Sequence, residues 1–297
     1  MTNEARAHVA MLIAAVLIAT SFPVVGEIAD AMNSLVLTWI RFAAASLLFV
    51  PWMAWRHGIG TWPGWKSIGR YALLSAPLCG FFWGMFEALR TTTPMNTGAL
   101  FTLGPLWAAL IGRVVVGERL DRRRWGALLL GTMGAAWVVF EGDPLFLIQW
   151  ELRVGDGIFV AATAAFGLYV ALVKRLHRGE PRDLMTFWTL ATGTVWLSLA
   201  SGPLLPAVAW SAIDPTVYGL IGYLALFTTL ITFFLTQYAA TVIGPARTVA
   251  YTYLNPAFVA MWAWVAGHGA PAPIVGVGIA VTAVAMALLV GGQRVQG

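Results

Sequence analysis

The chain alternates between long apolar runs and short clusters of charge. Residues 7–26 hold no acidic or basic side chain apart from His8, and residues 34–55 hold one charge, Arg41. Further apolar runs fall at 71–89, 91–112, 125–140, 157–173, 184–202, 217–239, 248–267 and 273–292. A helix needs about 20 apolar residues to cross a hydrocarbon core roughly 30 Å thick. Most of these runs meet that length; 125–140 is short and must borrow flanking residues to reach the interface. Barrel strands would be about 10 residues long and alternate in polarity, whereas these runs are apolar throughout. The pattern predicts an all-α integral membrane protein of ten transmembrane helices. A polar stretch from Glu141 to Asp156 divides it into residues 1–142 and 143–297, five helices in each.

Charge placement sets the expected orientation, because Lys and Arg near short loops stay on the cytoplasmic side. With the N-terminus inside, the inner segments hold Arg6; then Arg56, Lys66 and Arg70; then Arg119, Arg122, Arg123 and Arg124. They continue with Lys174, Arg175, Arg178 and Arg182, then Arg247 and Arg294, leaving only Arg90 and Arg153 outside. The outer loops carry Glu27, Asp30, Glu141, Asp143, Glu151 and Asp214. An even number of crossings with both termini cytoplasmic fits this alternation, in a multi-pass protein of the cell inner membrane.

Composition agrees with lipid as the solvent. The sequence is 59% apolar and 10% charged, against about 25% charged in a soluble domain. Its 31 glycines suit close helix approach and its 15 tryptophans suit interfacial anchoring; Trp52, Trp55, Trp62 and Trp65 form such a belt. The single cysteine, Cys79, excludes an intramolecular disulfide. The net charge of +5 follows from topology, and no basic run interleaved with aromatics points to nucleic acid. The first run, lacking a small-residue cleavage site, is expected to be a retained helix.

Two stretches 151 residues apart resemble each other. Thr97-Gly98-Ala99-Leu100-Phe101-Thr102-Leu103-Gly104-Pro105 aligns with Thr248-Val249-Ala250-Tyr251-Thr252-Tyr253-Leu254-Asn255-Pro256, sharing Thr, Ala, Leu and Pro at matching places. Gly117 and Gly267 follow at a similar spacing. This predicts a five-helix repeat; because five is odd, the second copy crosses in the opposite sense, an inverted repeat suited to alternating access.

Trp39-Ile40-Arg41-Phe42, Leu103-Gly104-Pro105-Leu106, Gly117-Glu118-Arg119-Leu120 and Leu254-Asn255-Pro256-Ala257 together resemble the EamA-type branch of the drug/metabolite transporter superfamily, over almost the whole chain from Val9 to Val290. The resemblance implies a ten-helix fold, a central cavity between the halves, and export of amino acids or other small metabolites. One departure is Gly267-His268-Gly269, where the second half of such proteins often repeats a Gly-Glu pair.

Several residues are candidates for the transport site. Arg41, about seven residues into its span, needs a partner or a wet cavity, since a charge at such depth costs about 2.5–3.5 kcal/mol on insertion scales. Depth suggests Glu87 as that partner. The pair is either a structural salt bridge or a zwitterion site, with Arg41 receiving a carboxylate and Glu87 an ammonium or a proton. Arg113 lies at a helix end and snorkels. Phe82, Trp83, Phe86 and Phe101 are candidates to line a cavity, or else to pack or face lipid. Pro105 and Pro256 each remove a backbone donor within a span and are candidate hinges. Ser21, Phe22 and Tyr169, at comparable depth, and Tyr251 and Asn255 beside Pro256, offer contacts to a substrate or stabilise a kink. Glu118 is expected to pair with Arg122 at a helix end.

These features favour a secondary carrier for a small-molecule substrate such as an amino acid, with protons as the candidate coupling ion. No phosphate-binding glycine loop with its lysine signals ATP use, and no cofactor is implied. A membrane-embedded enzyme would need a nucleophile with its base or a metal cluster; His8, His57, His177 and His268 are scattered without ligand spacing, so no catalytic or metal site is expected. A passive channel would need a continuous polar pore.

Overall fold

The computed structural model describes residues 2–58, 62–143, 145, 153–265 and 272–290, and these fold into helices. In chain order they are α1 (Asn3–Ile28), α2 (Ser34–His57), α3 (Trp65–Leu89), α4 (Pro94–Phe101), α5 (Gly104–Val115) and α6 (Arg122–Val139). There follow α7 (Val154–Leu176), α8 (Arg182–Ser201), α9 (Pro215–Ala225), α10 (Thr232–Ile243), α11 (Pro245–Ala250), α12 (Asn255–Val265) and α13 (Val275–Val290). Glu151, Gly267, His268, Gly269 and Arg294, used in the sequence argument, lie outside the described residues, as does most of the stretch between Asp143 and Arg153.

Starts of these helices are written in short polar side chains that accept from otherwise unpaired first-turn amides. Asn33 accepts from Leu35 N–H at 2.9 Å, Thr93 from Asn96 at 3.1 Å, Asp121 from Arg124 at 2.8 Å and Asp214 from Thr216 at 2.8 Å. Six segments are long and apolar enough to cross a membrane: Asn3–Ile28, Ser34–His57, Trp65–Leu89, Asn96–Val115, Val154–Leu176 and Pro215–Ile243. Their outward faces are apolar too. Leu47, Trp55, Leu73 and Val114 stand exposed, which suits a lipid solvent and would be an aggregation liability in water.

Two expected spans are broken. In place of one helix over 91–112, α4 ends at Phe101 and α5 restarts at Gly104; in place of one over 248–267, α11 passes through a 3-10 turn at Tyr251–Leu254 into α12. Pro105 and Pro256 therefore sit in the first turn of a new helix. There the missing N–H costs nothing, because first-turn amides have no intrahelical acceptor. This corrects the expectation that they interrupt a continuous helix. The breaks correspond in position: α4 and α11 open on Pro94 and Pro245, and α5 and α12 open on Gly104-Pro105 and Asn255-Pro256, each pair 151 residues apart. The helix made of α9 and α10 is also irregular, with a wide π turn at Leu226–Ile231.

The most extensive packing joins α3 to α7, α6 to α13, α2 to α8 and α5 to α7. Glycines set the distance of approach. A Cβ on Gly84 would lie 2.8 Å from Ala162 Cβ, one on Gly167 would meet the backbone of Ala108 at 3.0 Å, and one on Gly134 would fall 2.8 Å from Thr282 Oγ1. With lipid as apolar as the helix surface, such contacts supply association through dispersion and short-range packing.

We expect Gly134→Val to force α6 away from α13 and cost about 1–3 kcal/mol, read as a lower melting temperature in detergent. Gly126→Ala, on the same helix with nothing within 4 Å of the added atom, is expected to leave the melting temperature unchanged or raise it. Equal losses in both variants would remove the packing argument.

Candidate functional site

Helices α1, α3, α4, α7 and the α9–α10 helix enclose a cavity at the centre of the structure. Its wall includes Ser21 and Phe22 from α1, Phe81, Phe82 and Met85 from α3, Phe101 at the end of α4, Phe166 from α7, and Thr228, Thr232, Phe233 and Thr236 from the α9–α10 helix. The volume is about 20 Å³, the room of a single water molecule. Rings close it: Phe22 meets Phe101 edge-on at 5.3 Å, Phe81 stacks on Phe101 at 5.9 Å, and Phe82 lies 5.4 Å from Phe233.

Arg41 stands behind this wall, 1% exposed. Its guanidinium lies 4.3 Å over the Phe82 ring, a favourable contact for a desolvated cation. Nε donates to Thr229 Oγ1 at 2.6 Å; Nη2 donates to Thr228 Oγ1 at 2.7 Å and to the Thr228 carbonyl at 3.1 Å. Both threonines lie in the π turn, whose widened spacing presents them together to α2. Such turns recur at functional positions. Nη1 is buried with no hydrogen-bond acceptor. Dipoles thus meet part of the charge, and no carboxylate among the described residues forms an ion pair with it.

The expected Arg41–Glu87 pair does not form. Glu87, at the end of α3, is 3.7 Å from Arg90 and about one-third exposed. Depth alone had matched two residues whose side chains go to different neighbours. Trp83 is 39% exposed on the outward side of α3, and Phe86 is fully buried in the core but absent from the cavity wall. Ser21, Phe22, Phe82 and Phe101 do come together at the cavity. Tyr169 lies directly behind it, its ring 6.1 Å from Phe166 and 6.2 Å from Phe233.

Residues beside Pro256 are elsewhere. Tyr251 pairs its hydroxyl with His8 Nδ1 at 2.6 Å, and Tyr253 donates to the Leu128 carbonyl at 2.8 Å. Asn255 is 3% exposed with both side-chain polar atoms lacking a partner, a separate buried polar point at the start of α12. Sequence reasoning missed Phe81, Phe166 and Phe233, and above all the threonines. Thr228, Thr232 and Thr236 recur every four residues within an apolar run, a polar stripe that marks one helix face.

Polar contacts tie helices together at both ends of the bundle. At one end buried Asp156 accepts from the Thr92 hydroxyl, from Asn96 at 3.3 Å and from the Arg153 amide at 2.9 Å, joining α4 to α7. At the end that holds the N-terminus, Glu4 binds Arg247 at 2.8 Å, joining α1 to α11. Nearby, Glu118 occupies a slot between Gly112 and Gly244. A Cβ on either would fall 3.1 Å and 2.8 Å from its carboxylate oxygens, and one on Gly244 would also lie 3.1 Å from Lys174 Nζ. Gly244 has φ +84°, a conformation that L side chains rarely adopt. Burial raises the Glu118 carboxyl above its ordinary value, opposed by Lys174, Arg247 and Arg124. Those neighbours replace the expected Arg122.

The fold and the cavity define a helical, multi-pass membrane protein with an aromatic-walled interior. The chain belongs to the EamA-like transporter family, which matches residues 5–140 and again residues 153–291. It is similar to an uncharacterized transporter of Archaeoglobus fulgidus, 26% identical over 77% of this chain and 78% of that one. It is also similar to the uncharacterized transporter YyaM of Bacillus subtilis, 23% identical over 76% and 75%. A more partial likeness, 27% identical over 52% of this chain and 48% of the other, is to the aromatic amino acid exporter YddG of Ancylobacter novellus. A solved structure described as "Crystal structure of protein" shares the fold, with a TM-score of 0.73 and 18% identity over 98% of this chain and all of that one.

Thr229→Val is expected to leave Nε of a buried guanidinium without its acceptor and to cost about 1–3 kcal/mol, read as a lower melting temperature in detergent. Glu87→Gln, which disturbs only a partly exposed pair, is expected to cost no more than about 1 kcal/mol. The reverse order would restore Glu87 as the partner of Arg41.

Proposed function

We propose that the protein is a secondary carrier of the cell inner membrane, exporting small metabolites such as amino acids by alternating access around the central cavity. The observation that carries this reading is a cavity lined by helices of both family-matched segments, with polar ties between helices at each end of the bundle. Ties that are exchanged at one end at a time are what alternating access requires.

Ten crossings follow if α6, α8, the α11–α12 pair and α13 also span, with α4–α5 and α9–α10 each counted once. The halves, 1–142 and 143–297, are then two five-helix repeats of opposite sense. The constant 151-residue offset of the two breaks and the double family match support this. Both termini are cytoplasmic in the proposal, from the distribution of Lys and Arg. Ser21, Phe22, Phe82 and Phe101 are the proposed contacts to substrate, with Arg41 reached when Phe82 moves, and Pro105 and Pro256 the proposed hinge positions. Amino acids enter the proposal from the similarity to the YddG exporter, and protons are the proposed coupling ion.

In proteoliposomes we expect saturable counterflow of at least one solute from a panel of amino acids, sugars and cationic drugs. Ohmic flux would replace the carrier with a channel, and chemical conversion of a solute would replace it with an enzyme. In a background lacking Cys79, Trp62→Cys and Arg123→Cys are expected to be shielded from an impermeant maleimide in intact cells, while Asp30→Cys reacts. Labelling of only one of the first two would overturn the ten-helix topology.

A further inference from the structure

Arg41 holds its charge inside an apolar bundle with no anion beside it among the described residues. The described carboxylates nearest to being candidates are engaged elsewhere: Glu87 with Arg90, Asp156 with Thr92 and Asn96, Asp183 with His57 at 2.8 Å and Arg56 at 3.0 Å, and Glu4 with Arg247. Two guanidinium nitrogens rest on neutral oxygens and the third, Nη1, has no acceptor. A cation so desolvated gains more from an incoming anion than one already paired, because the cost of stripping its water has been met in folding.

The adjoining chamber limits what that anion is attached to. Phenylalanines and Met85 form most of its wall, and no charged side chain lines it. Thr228 belongs to both places: it lines the chamber, and its Oγ1 accepts from Nη2 at 2.7 Å. Phe82 likewise lines the chamber with one edge of its environment and carries the guanidinium on its face. A monoanion balances Arg41 one to one, whereas a phosphate dianion would leave a charge unmet in a closed apolar space. No acid in the wall answers an ammonium group.

We propose that this site takes monocarboxylates with an apolar, preferentially aromatic body, bound through Arg41, and that an amino group on the ligand is not required. The inference rests on the carrier reading for the place of the cavity in transport, and it adds the chemistry the cavity selects. Because the chamber now holds about one water, the ligand enters with displacement of Phe82, the ring that both lines the chamber and carries the guanidinium.

The test uses one carbon skeleton with three charge patterns, titrated calorimetrically into the full-length protein in nanodiscs: hydrocinnamate, phenylalanine and phenethylamine. Hydrocinnamate is expected to bind about as tightly as phenylalanine, and phenethylamine at least about tenfold more weakly, the scale of one charge-assisted hydrogen bond. Arg41→Met is expected to abolish hydrocinnamate binding. Should that variant fail to fold, the wild-type series decides alone. Phenethylamine binding as tightly as the acid, phenylalanine binding without hydrocinnamate, or no binding by any of the three overturns the proposal. Counterflow of other solutes without hydrocinnamate binding leaves the carrier standing and removes this inference. Hydrocinnamate binding without counterflow of any solute does the opposite.

Discussion

The contact between Arg41 and the π turn of the α9–α10 helix is the constraint around which the centre of this protein is arranged. A guanidinium within an apolar bundle must be met by dipoles in fixed places. A regular α-helix uses each carbonyl for its own ladder, whereas the wide turn at Leu226–Ile231 brings Thr228 and Thr229 to Arg41 together. That contact sets the register of α2 against α9–α10. Phe82 and Phe42 then pack around it, 5.7 Å apart, with Phe233 5.9 Å from Phe42. The floor of the cavity is therefore a consequence of how one buried charge was accommodated.

The interior divides by chemistry along the bundle. Rings and hydroxyls occupy the middle, where helices from both halves meet over apolar surface, and charged ties occupy the ends. Dispersion contacts between rings are numerous and individually weak. Ties such as Glu4–Arg247, or Asp156 with Thr92 and Asn96, are few and directional. Separating helices at either end would exchange a small set of polar partners for water. The slot that Gly112 and Gly244 leave places the Glu118 carboxylate where α5, α7 and the α10–α11 turn converge, under the influence of Lys174, Arg247 and Arg124.

Hydropathy made the helices legible because a lipid solvent demands long apolar runs, and that demand is local in sequence. The breaks were less legible: a Gly-Pro or Asn-Pro pair inside an apolar run is compatible with a kinked helix or with a restarted one, and only packing decides. At the site, Arg41 stood out because charge is rare in such a run. Its partners did not, being two neutral threonines 187 and 188 residues away. Glu87 was chosen by depth, a one-dimensional criterion that ignores the direction of a side chain around the helix. On α3 the same blindness grouped Phe82, Trp83 and Phe86, although a 3.6-residue period turns residue 83 well away from residue 82.

The two broken stretches share a backbone frame and differ in what they deliver. Pro94 and Pro245, and Pro105 and Pro256, open corresponding helices. Yet the residue at the end of α4 is Phe101, which reaches the cavity, while its counterpart Thr252 is buried with no partner for its hydroxyl. Tyr251 and Tyr253 turn instead to His8 and to the carbonyl of Leu128. The duplicated frame places helix starts at matching points of the two family-matched segments. Substrate chemistry needs no such symmetry, because a small solute is itself asymmetric. The first break lends a ring to the chamber, and the second fastens its aromatic side chains to α1 and α6.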